Sequence, residues 1–262
     1  MTPLPRRIMQ VCAVLGVVVL SACAGQQPDA QTSRGTFDPY EEQNRQVHAF
    51  NKDLDRKLVR PVAKGYDAAV PDDIETVILR FSDNTSLPGA IVNNILQLNM
   101  RAAIQDTARL VVNTTVGLGG FFDPATEMGM PAASDADFGQ TLHVWGAGEG
   151  AYIELPVLGP STQRDTFGTV VDVFIDPLTY VLGDPEAGIN RGASVAGGLT
   201  RRSRFSGTID QILYESADSY AQSRSFYLQS RRFELGGTAS ETYTDPYGSD
   251  AATAGMEDPY DE

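Results

Sequence analysis

Two long stretches in the middle of the chain, residues 84–100 and 110–122, carry no charged side chain. A helix that faces water normally has a polar stripe with several charges. The polar groups in these stretches are instead neutral: Asn93, Asn94, Gln97, Asn113, Thr114 and Thr115. Two interpretations stay open, because such helices either form the core of a helical bundle or lie in lipid and line a route for it. Neither stretch has 18 consecutive apolar residues, so the chain could lie within one leaflet of a bilayer but not cross it.

The charge and the rarer residues exclude several functions. The 262 residues include 34 acidic and 20 basic side chains, a formal net charge of −14, which excludes non-specific binding to nucleic acid. Two cysteines and two histidines leave little material for a disulfide framework or a metal site. The Gly-x-Ser-x-Gly motif of many lipid hydrolases is absent. We therefore expect no catalytic residues, no metal and no cofactor.

The N-terminus has the layout of a secretory signal. Arg6 and Arg7 precede an uncharged, largely apolar run at residues 8–20, which ends in Leu20-Ser21-Ala22-Cys23. This ending resembles the lipobox of bacterial lipoproteins and implies a signal peptide at residues 1–22 and acylation of Cys23. An ordinary signal peptide with a chance cysteine is the alternative. By similarity to lipoprotein sorting, Ala24 favours the outer membrane.

The two ends of the mature chain lack an apolar pattern. Residues 23–37 are rich in Gln, Ser, Thr and Gly and are predicted to form a lipidated tether. Residues 236–262 contain seven acidic side chains and no basic one, which predicts an acidic disordered tail.

The region between the two ends is predicted to be mainly α-helical. Apolar side chains three and four residues apart predict a first helix at 41–60, which Pro61 ends or bends. Asp72 and Glu75 are spaced as in a capping box. The further predicted helices are 72–81, 86–98, 101–115, 123–129, 136–145, 161–175 and 208–233, with one extended segment at 152–157.

Several segments, taken together and in this order, resemble the MlaA/VacJ family of outer-membrane lipoproteins. They are Asp38-Pro39-Tyr40-Glu41 with Asn44-Arg45 and Phe50-Asn51, Val59-Arg60-Pro61-Val62, RLVVNTTVGLGGFFD at 109–123, Phe138-Gly139-Gln140-Thr141-Leu142, GEGAYIELPVLGPSTQRD at 148–165, and Asp176-Pro177-Leu178. The resemblance implies an MlaA-like helical domain at 38–235.

The resemblance implies a ring-shaped helical lipoprotein that lies in the inner leaflet of the outer membrane, anchored at Cys23 on the periplasmic side, with a central amphipathic channel. Such a protein removes mislocalised phospholipids from the outer leaflet and passes them to a periplasmic carrier protein of the MlaC type, which maintains lipid asymmetry. It works beside a trimeric porin and is not an enzyme. The alternatives are a structural adaptor lipoprotein that moves no lipid and a secreted lipid hydrolase.

A headgroup that crosses hydrocarbon needs a polar path, and neutral amides supply hydrogen bonds without buried charge. The predicted channel wall comprises Phe50, Asn51, Asn93, Asn94, Gln97 and Asn113. For Phe50 and Asn51, plain helix packing is the alternative.

Gly146, Gly148 and Gly150 permit a bend and correspond by resemblance to the channel's mobile loop; a tight turn is the alternative. Arg164 and Asp165 match an Arg-Asp pair of the family and are predicted to contact a phosphate or hold that loop. A helix-start ion pair is the alternative. The basic cluster Arg201-Arg202-Ser203-Arg204 either meets anionic headgroups or the carrier, or is simply a solvated face.

Overall fold

The computed structural model describes residues 37–236. The predicted signal peptide, the lipidation site Cys23 and all but the last residue of the tether lie outside the described residues, as does the acidic tail from residue 237 onward. The described part is predominantly helical, which confirms the predicted mainly α class.

The first helical segment is longer than predicted. Helix α1 (Glu41–Leu54) passes through a π-helical turn (Asp55–Val59) into α2 (Arg60–Ala69) without a break. The chain therefore stays helical through Pro61, and the prediction that the helix could end at this proline is wrong. In the π turn the Arg60 N–H donates to the Asp55 carbonyl, five residues back. A proline clashes with the carbonyl four residues before it, and this wider turn loosens the contact.

Helix α3 (Asp72–Leu96) is a single helix of 25 residues, although two helices were predicted there. Pro88 lies inside it, and two hydroxyls of the preceding turn donate to backbone carbonyls: Thr85 to Ser82 over 2.9 Å and Ser86 to Asp83 over 2.8 Å. The predicted capping box is also wrong, because Pro71 occupies the N-cap position without a side-chain hydrogen bond.

Helix α3 packs against α4 (Met100–Thr115) and against a long helix that the sequence did not predict. This helix contains four glycines, which are poor helix formers, so its helix propensity is low and the sequence pattern did not indicate a helix. One of them, Gly197, is buried, and a β-carbon there would lie 3.3 Å from the Ser82 hydroxyl. The glycine thus lets the two helices approach closely.

The remaining elements are short apart from three helices, Gln163–Ile175, Asp184–Arg204 and Ser219–Glu234. The hairpin β1 (Tyr152–Leu155) and β2 (Gly159–Thr162) pairs antiparallel, with Tyr152 opposite Thr162, and replaces the single predicted extended segment. The helices are α5 (Pro124–Glu127), α6 (Phe138–Val144), α7 (Gln163–Ile175), α8 (Leu178–Val181), α9 (Asp184–Arg204, the unpredicted helix), α10 (Ser206–Asp210) with a second π turn (Gln211–Glu215), and α11 (Ser219–Glu234).

The large apolar side chains that pack together inside the described region are few. Tyr152, Tyr220 and Leu228 form a small buried cluster, with Tyr227 packed against it. Within residues 37–236, every helix is too short or too polar to cross a bilayer.

Candidate functional site: a polar interior beneath an apolar surface

Helix α4 has the reverse of the usual amphipathic arrangement. Its buried face carries Ala103, Asp106, Arg109 and Asn113. Its exposed face carries large apolar side chains, of which Met100 is 51%, Ile104 67% and Val111 55% exposed. A helix on a water-exposed surface places its charges outward, because an unpaired charge is costly to bury and an exposed apolar stripe is costly to hydrate.

Other parts of the chain also expose large apolar side chains. They belong to the segment that follows α4 and to the chain from α7 into α9: Val116, Leu118, Phe121, Phe122, Val170, Val173, Phe174, Tyr180, Val181, Ile189 and Val195. Exposed apolar side chains in this number are typical of a surface that contacts lipid or another protein.

The amides predicted to line a channel are engaged inside the protein. Asn93 donates to Asp172 over 2.8 Å and accepts from the Thr141 hydroxyl over 3.0 Å. Gln97 donates to the same hydroxyl over 3.1 Å. Burial raises the pKa of the Asp172 carboxyl, against the hydrogen bonds from Asn93 and the Phe138 N–H. These contacts connect α3 to the helices α6 and α7.

A second buried group connects α3, α4 and the loop before α6. Asn94 donates to the Asp106 carboxylate over 2.9 Å and to the Ser134 hydroxyl over 2.7 Å. The Ser134 backbone N–H donates to the other Asp106 oxygen over 3.1 Å. The buried charge of Asp106 is therefore met by three donors from two segments when the short bond from the Ser134 hydroxyl is included.

A third group of buried polar side chains, centred on Arg109, attaches the segment that follows α4 to that helix. The Arg109 guanidinium donates to both Asp123 carboxylate oxygens over 3.0 Å and to the Pro131 carbonyl over 2.8 Å. Asn113 donates to Asp123 over 2.9 Å. Burial would raise the pKa of the Asp123 carboxyl, but hydrogen bonds from Thr126 and Asn113 and the charge of Arg109 outweigh it and lower the pKa.

Phe50 and Asn51 lie where α1 meets the hairpin. Asn51 donates to the Leu155 carbonyl over 2.9 Å and accepts from the Val157 N–H over 2.7 Å. Phe50 is more than half exposed. The channel-wall role of these two residues and of the four amides stays a prediction.

The predicted pair Arg164 and Asp165 lies at the start of α7 and is buried. The guanidinium of Arg164 donates to the adjacent carboxylate over 3.1 Å, and Tyr227 and Arg231 of α11 donate to the same carboxylate over 2.8 and 3.1 Å. Thr162 completes the group over 2.9 Å. Burial would raise the pKa of the Asp165 carboxyl, but its arginine partners hold the pKa at about 2. The pair therefore joins α7 to α11, and its contact with phosphate stays a prediction.

The low pKa of the Asp165 carboxyl predicts that the free energy of unfolding decreases at acidic pH. Its pKa is depressed in the folded chain from 3.8 to about 2, so its contribution is complete above pH 4 and is lost as the pH falls towards 2. Two pKa units correspond to about 3 kcal/mol of unfolding free energy. We expect Asp165→Asn to flatten the pH dependence of urea unfolding between pH 4 and pH 2. An Asp165→Asn curve parallel to that of the wild type would contradict this assignment.

The glycine segment after α6 is fixed near both ends. The Gly146 N–H donates to the His143 carbonyl over 2.8 Å. The Arg164 N–H donates to the Glu149 carbonyl over 3.2 Å, and Arg232 contacts the Glu149 carboxylate at 2.6 Å. Gly146 and Gly150 have positive φ angles of 90° and 71°. The gating role of Gly146, Gly148 and Gly150 stays a prediction.

Alanine substitutions should separate the roles of these glycines. A β-carbon at Gly150 would lie 2.6 Å from Gln163 Oε1, which accepts a hydrogen bond from the Ala151 N–H. Together with the positive φ, this predicts a loss of about 1–2 kcal/mol in unfolding free energy for Gly150→Ala. A β-carbon at Gly148 meets nothing within 4 Å, so Gly148→Ala is the matched control. Equal stabilities of the two variants would refute the prediction.

Comparison with known proteins identifies the family of this chain. A model of the MlaA lipoprotein family matches residues 36–234. The chain belongs to the MlaA lipoprotein family.

Relatives and a solved structure agree with this MlaA assignment. The chain is 32% identical over 227 residues to the intermembrane phospholipid transport system lipoprotein MlaA of Escherichia coli, covering 85% of this chain and 87% of that protein. It is 34% identical over 196 residues to an uncharacterized protein of Rickettsia typhi, covering 74% and 76%. A structure solved to explain the maintenance of bacterial outer membrane lipid asymmetry superposes with a TM-score of 0.65 at 30% identity, covering 76% of this chain and 98% of that chain.

The buried charges of this MlaA fold are the residues that the sequence analysis missed. Arg109 and Asp123 stand at the two ends of the segment 109–123 that carries part of the family resemblance, and that position was the available signal. Asp106 and Asp172 carried no such signal, because each looks like an ordinary surface charge on a helix.

The two histidines of the chain differ in their surroundings, since His48 is buried and His143 is exposed. His48 is buried between Glu154 at 3.3 Å and Ser219 at 3.1 Å. Desolvation lowers the pKa of His143, as do the charges of Arg164 and Arg231. In the part of the chain that the structure describes, His, Cys, Asp and Glu side chains form no group arranged to hold a metal ion.

Proposed function

We propose that this chain is an outer-membrane lipoprotein that removes mislocalised phospholipids from the outer leaflet and passes them to a periplasmic carrier, so that the lipid asymmetry of the membrane is maintained. The observation that carries the proposal is the reversed polarity of α4, with Asp106, Arg109 and Asn113 inside and Ile104 and Val111 outside. The family relatives named as intermembrane phospholipid transport lipoproteins support it.

The polarity suggests how the protein lies. An apolar exterior is stable against acyl chains, and helices suit this position because their backbone hydrogen bonds are satisfied internally. We place the domain in the inner leaflet of the outer membrane, as a ring around an amphipathic channel, with the exposed apolar side chains of α4 towards the acyl chains. The channel gives a polar headgroup a path while the acyl chains stay in apolar surroundings.

Anchoring and partners complete the proposal. Acyl chains on Cys23 hold the mature protein to the membrane, because several chains together give stable attachment. An MlaC-like carrier receives the phospholipid on the periplasmic side, and a trimeric porin lies beside the lipoprotein. The mass of the purified mature protein tests the anchor: it should begin at Cys23 with its acyl groups attached, and an unmodified residue 23 would refute lipidation.

The transport step is non-catalytic in this proposal. The lipid moves without a covalent change, so incubation of the protein with phospholipid should yield no lysolipid. The appearance of lysolipid in proportion to protein would instead favour a hydrolase.

The test of function uses cells that lack the gene. We expect phospholipid to accumulate in the outer leaflet of these cells, and wild-type protein to restore asymmetry and to purify with bound phospholipid. A structural adaptor would purify without stoichiometric lipid. Normal asymmetry in the deletion strain would refute the proposed function.

A further inference from the structure

A polar cavity of about 340 Å³ lies between α3 and α9. The charged groups at its wall are Asp83 of α3, Arg201 of α9 and Asp176 of the turn between α7 and α8. The other lining side chains, such as Ser82, Ser86, Asn190 and Ser194, are neutral and polar. Asn190, Ser194 and Arg201 share one face of α9, because they are four and seven residues apart. The cavity is large enough for a small polar group rather than for a whole lipid.

The arginine at this cavity forms a solvent-exposed ion pair. The Arg201 guanidinium contacts the Asp83 carboxylate at 2.5 Å, and both side chains are half exposed, at 51% and 60%. Exposed ion pairs contribute little to stability, so an incoming anion can replace Asp83 at the guanidinium. Arginine binds phosphate through two parallel N–H bonds, which makes phosphate the anion best suited to replace it.

Replacement of Asp83 by a phosphate would leave acceptors for a cation. The freed Asp83 carboxylate and the carboxylate of Asp176 would then both face the cavity as negative charges. The side-chain oxygen of Asn190 is buried and has no hydrogen-bond donor among the residues the structure describes. An ammonium group has three N–H donors and would satisfy these oxygens.

The chain on both sides of Asp176 carries exposed apolar side chains. Val173 and Phe174 precede it and are 61% and 66% exposed, while Tyr180 and Val181 follow it and are 71% and 77% exposed. A polar cavity bordered by such a surface matches a molecule with a charged head and apolar tails.

We propose that this cavity binds the headgroup of a zwitterionic glycerophospholipid of the phosphoethanolamine type. Arg201 binds the phosphate, and Asp83, Asp176 and Asn190 accept hydrogen bonds from the ammonium group. The proposal rests on the proposed function, since it names the lipid class that the transport site takes.

The charges of the cavity predict selectivity against anionic lipids. A zwitterionic headgroup separates the pair of Arg201 and Asp83 and gives each side chain a new partner of opposite charge. A phosphatidylglycerol headgroup supplies the phosphate but no cation. Asp83 would then lose its partner, and Asp176, whose carboxylate accepts within the described residues only from the Leu178 N–H over 3.0 Å, would keep no cationic partner beside the added negative charge. Repulsion between these carboxylates and a headgroup of net negative charge therefore weakens the binding of the anionic lipid.

The experiment measures which lipid the full, acylated protein retains. Wild-type protein in detergent is mixed with equimolar phosphatidylethanolamine and phosphatidylglycerol, repurified, and its lipids are quantified by mass spectrometry. We expect enrichment of phosphatidylethanolamine by about tenfold. The double variant Asp83→Asn/Asp176→Asn should retain the two lipids near the supplied ratio. Arg201→Gln should retain about tenfold less of both, and Arg201→Lys should recover part of that loss.

Matched controls lie on α3 outside the cavity. Arg80→Gln and Asp73→Asn each remove one exposed charge and should retain lipid as the wild type does. Inorganic phosphate should compete with the lipid only weakly, because it lacks both the ammonium group and the acyl chains.

Three results would overturn the inference. If the wild type retains the two lipids in the supplied ratio, the cavity does not select, while the proposed transport function stands because lipid is bound. If inorganic phosphate displaces the lipid, the site is an anion site. If the wild type retains no lipid at all, the inference and the proposed function fall together.

Discussion

The free energy of unfolding of an Arg109→Met variant is expected to fall by about 3–5 kcal/mol, because removal of one partner leaves the other charge of a buried pair uncompensated. The Arg109 side chain is 7% exposed and donates to Asp123 and Thr126 and to the carbonyls of Met130 and Pro131. Methionine retains the apolar stem but none of these donors. The segment after α4 would then lose its main attachment to the helix.

Guanidinium unfolding followed by circular dichroism checks this expectation. Arg101→Met removes an exposed arginine of the same helix and should change the unfolding free energy by less than about 0.5 kcal/mol. If Arg109→Met proves as stable as Arg101→Met, the charge cluster does not hold the segment. The experiment therefore tests whether the polar interior, rather than apolar packing, stabilises this part of the fold.

An Ile104→Asp variant is expected to bind membranes about thirtyfold more weakly than the wild type. The side chain is 67% exposed, so in water the substitution would disturb no packing and would be nearly neutral. In the acyl region of a leaflet, a charge costs about 2 kcal/mol or more, which corresponds to this factor. The substitution therefore distinguishes the two environments: a water-exposed α4 predicts almost no effect, and a lipid-exposed α4 predicts weaker membrane binding.

Co-flotation with phospholipid vesicles measures the effect, using the chain from residue 24 onward so that acyl groups do not mask it. Gln46→Asp adds the same charge to an exposed position of α1, whose outer face carries Glu41, Glu42 and Arg45, and should leave binding unchanged. Equal binding of Ile104→Asp and wild type would show that α4 does not enter the leaflet. The position proposed for the domain would then be wrong.

The helices that the sequence predicted well are those with strong local signals. The predicted helix 101–115 corresponds to Met100–Thr115, where Asn99 caps the first turn by accepting from the Ala102 N–H. The helix Asp184–Arg204 was not predicted because its four glycines weaken local helix propensity, while one of them, Gly197, allows close packing on α3. The first helix was expected to end or bend at Pro61 and instead continues through it, and α3 continues through Pro88 where two helices were predicted.

For the candidate site, the sequence identified residues but not their partners. Arg164 and Asp165 were predicted as a pair, yet their connection to Tyr227 and Arg231 spans more than 60 residues of chain and depends on how α7 meets α11. The same holds for Asn93 with Asp172 and for Arg201 with Asp83. Long-range contacts of this kind have no local pattern.

The sequence by itself determined the mainly helical class, because helical periodicity and charge-free stretches are local properties of the chain. Its ordered motifs also identified the family that the comparisons then showed. Only the tertiary structure decided which face of each helix lies inside, since the charge-free stretches 84–100 and 110–122 were equally compatible with a bundle core and with a lipid-facing wall. The structure buries Asp106 and Arg109 and exposes Ile104 and Val111 because a buried charge needs partners from distant segments, and only the folded chain brings those partners together.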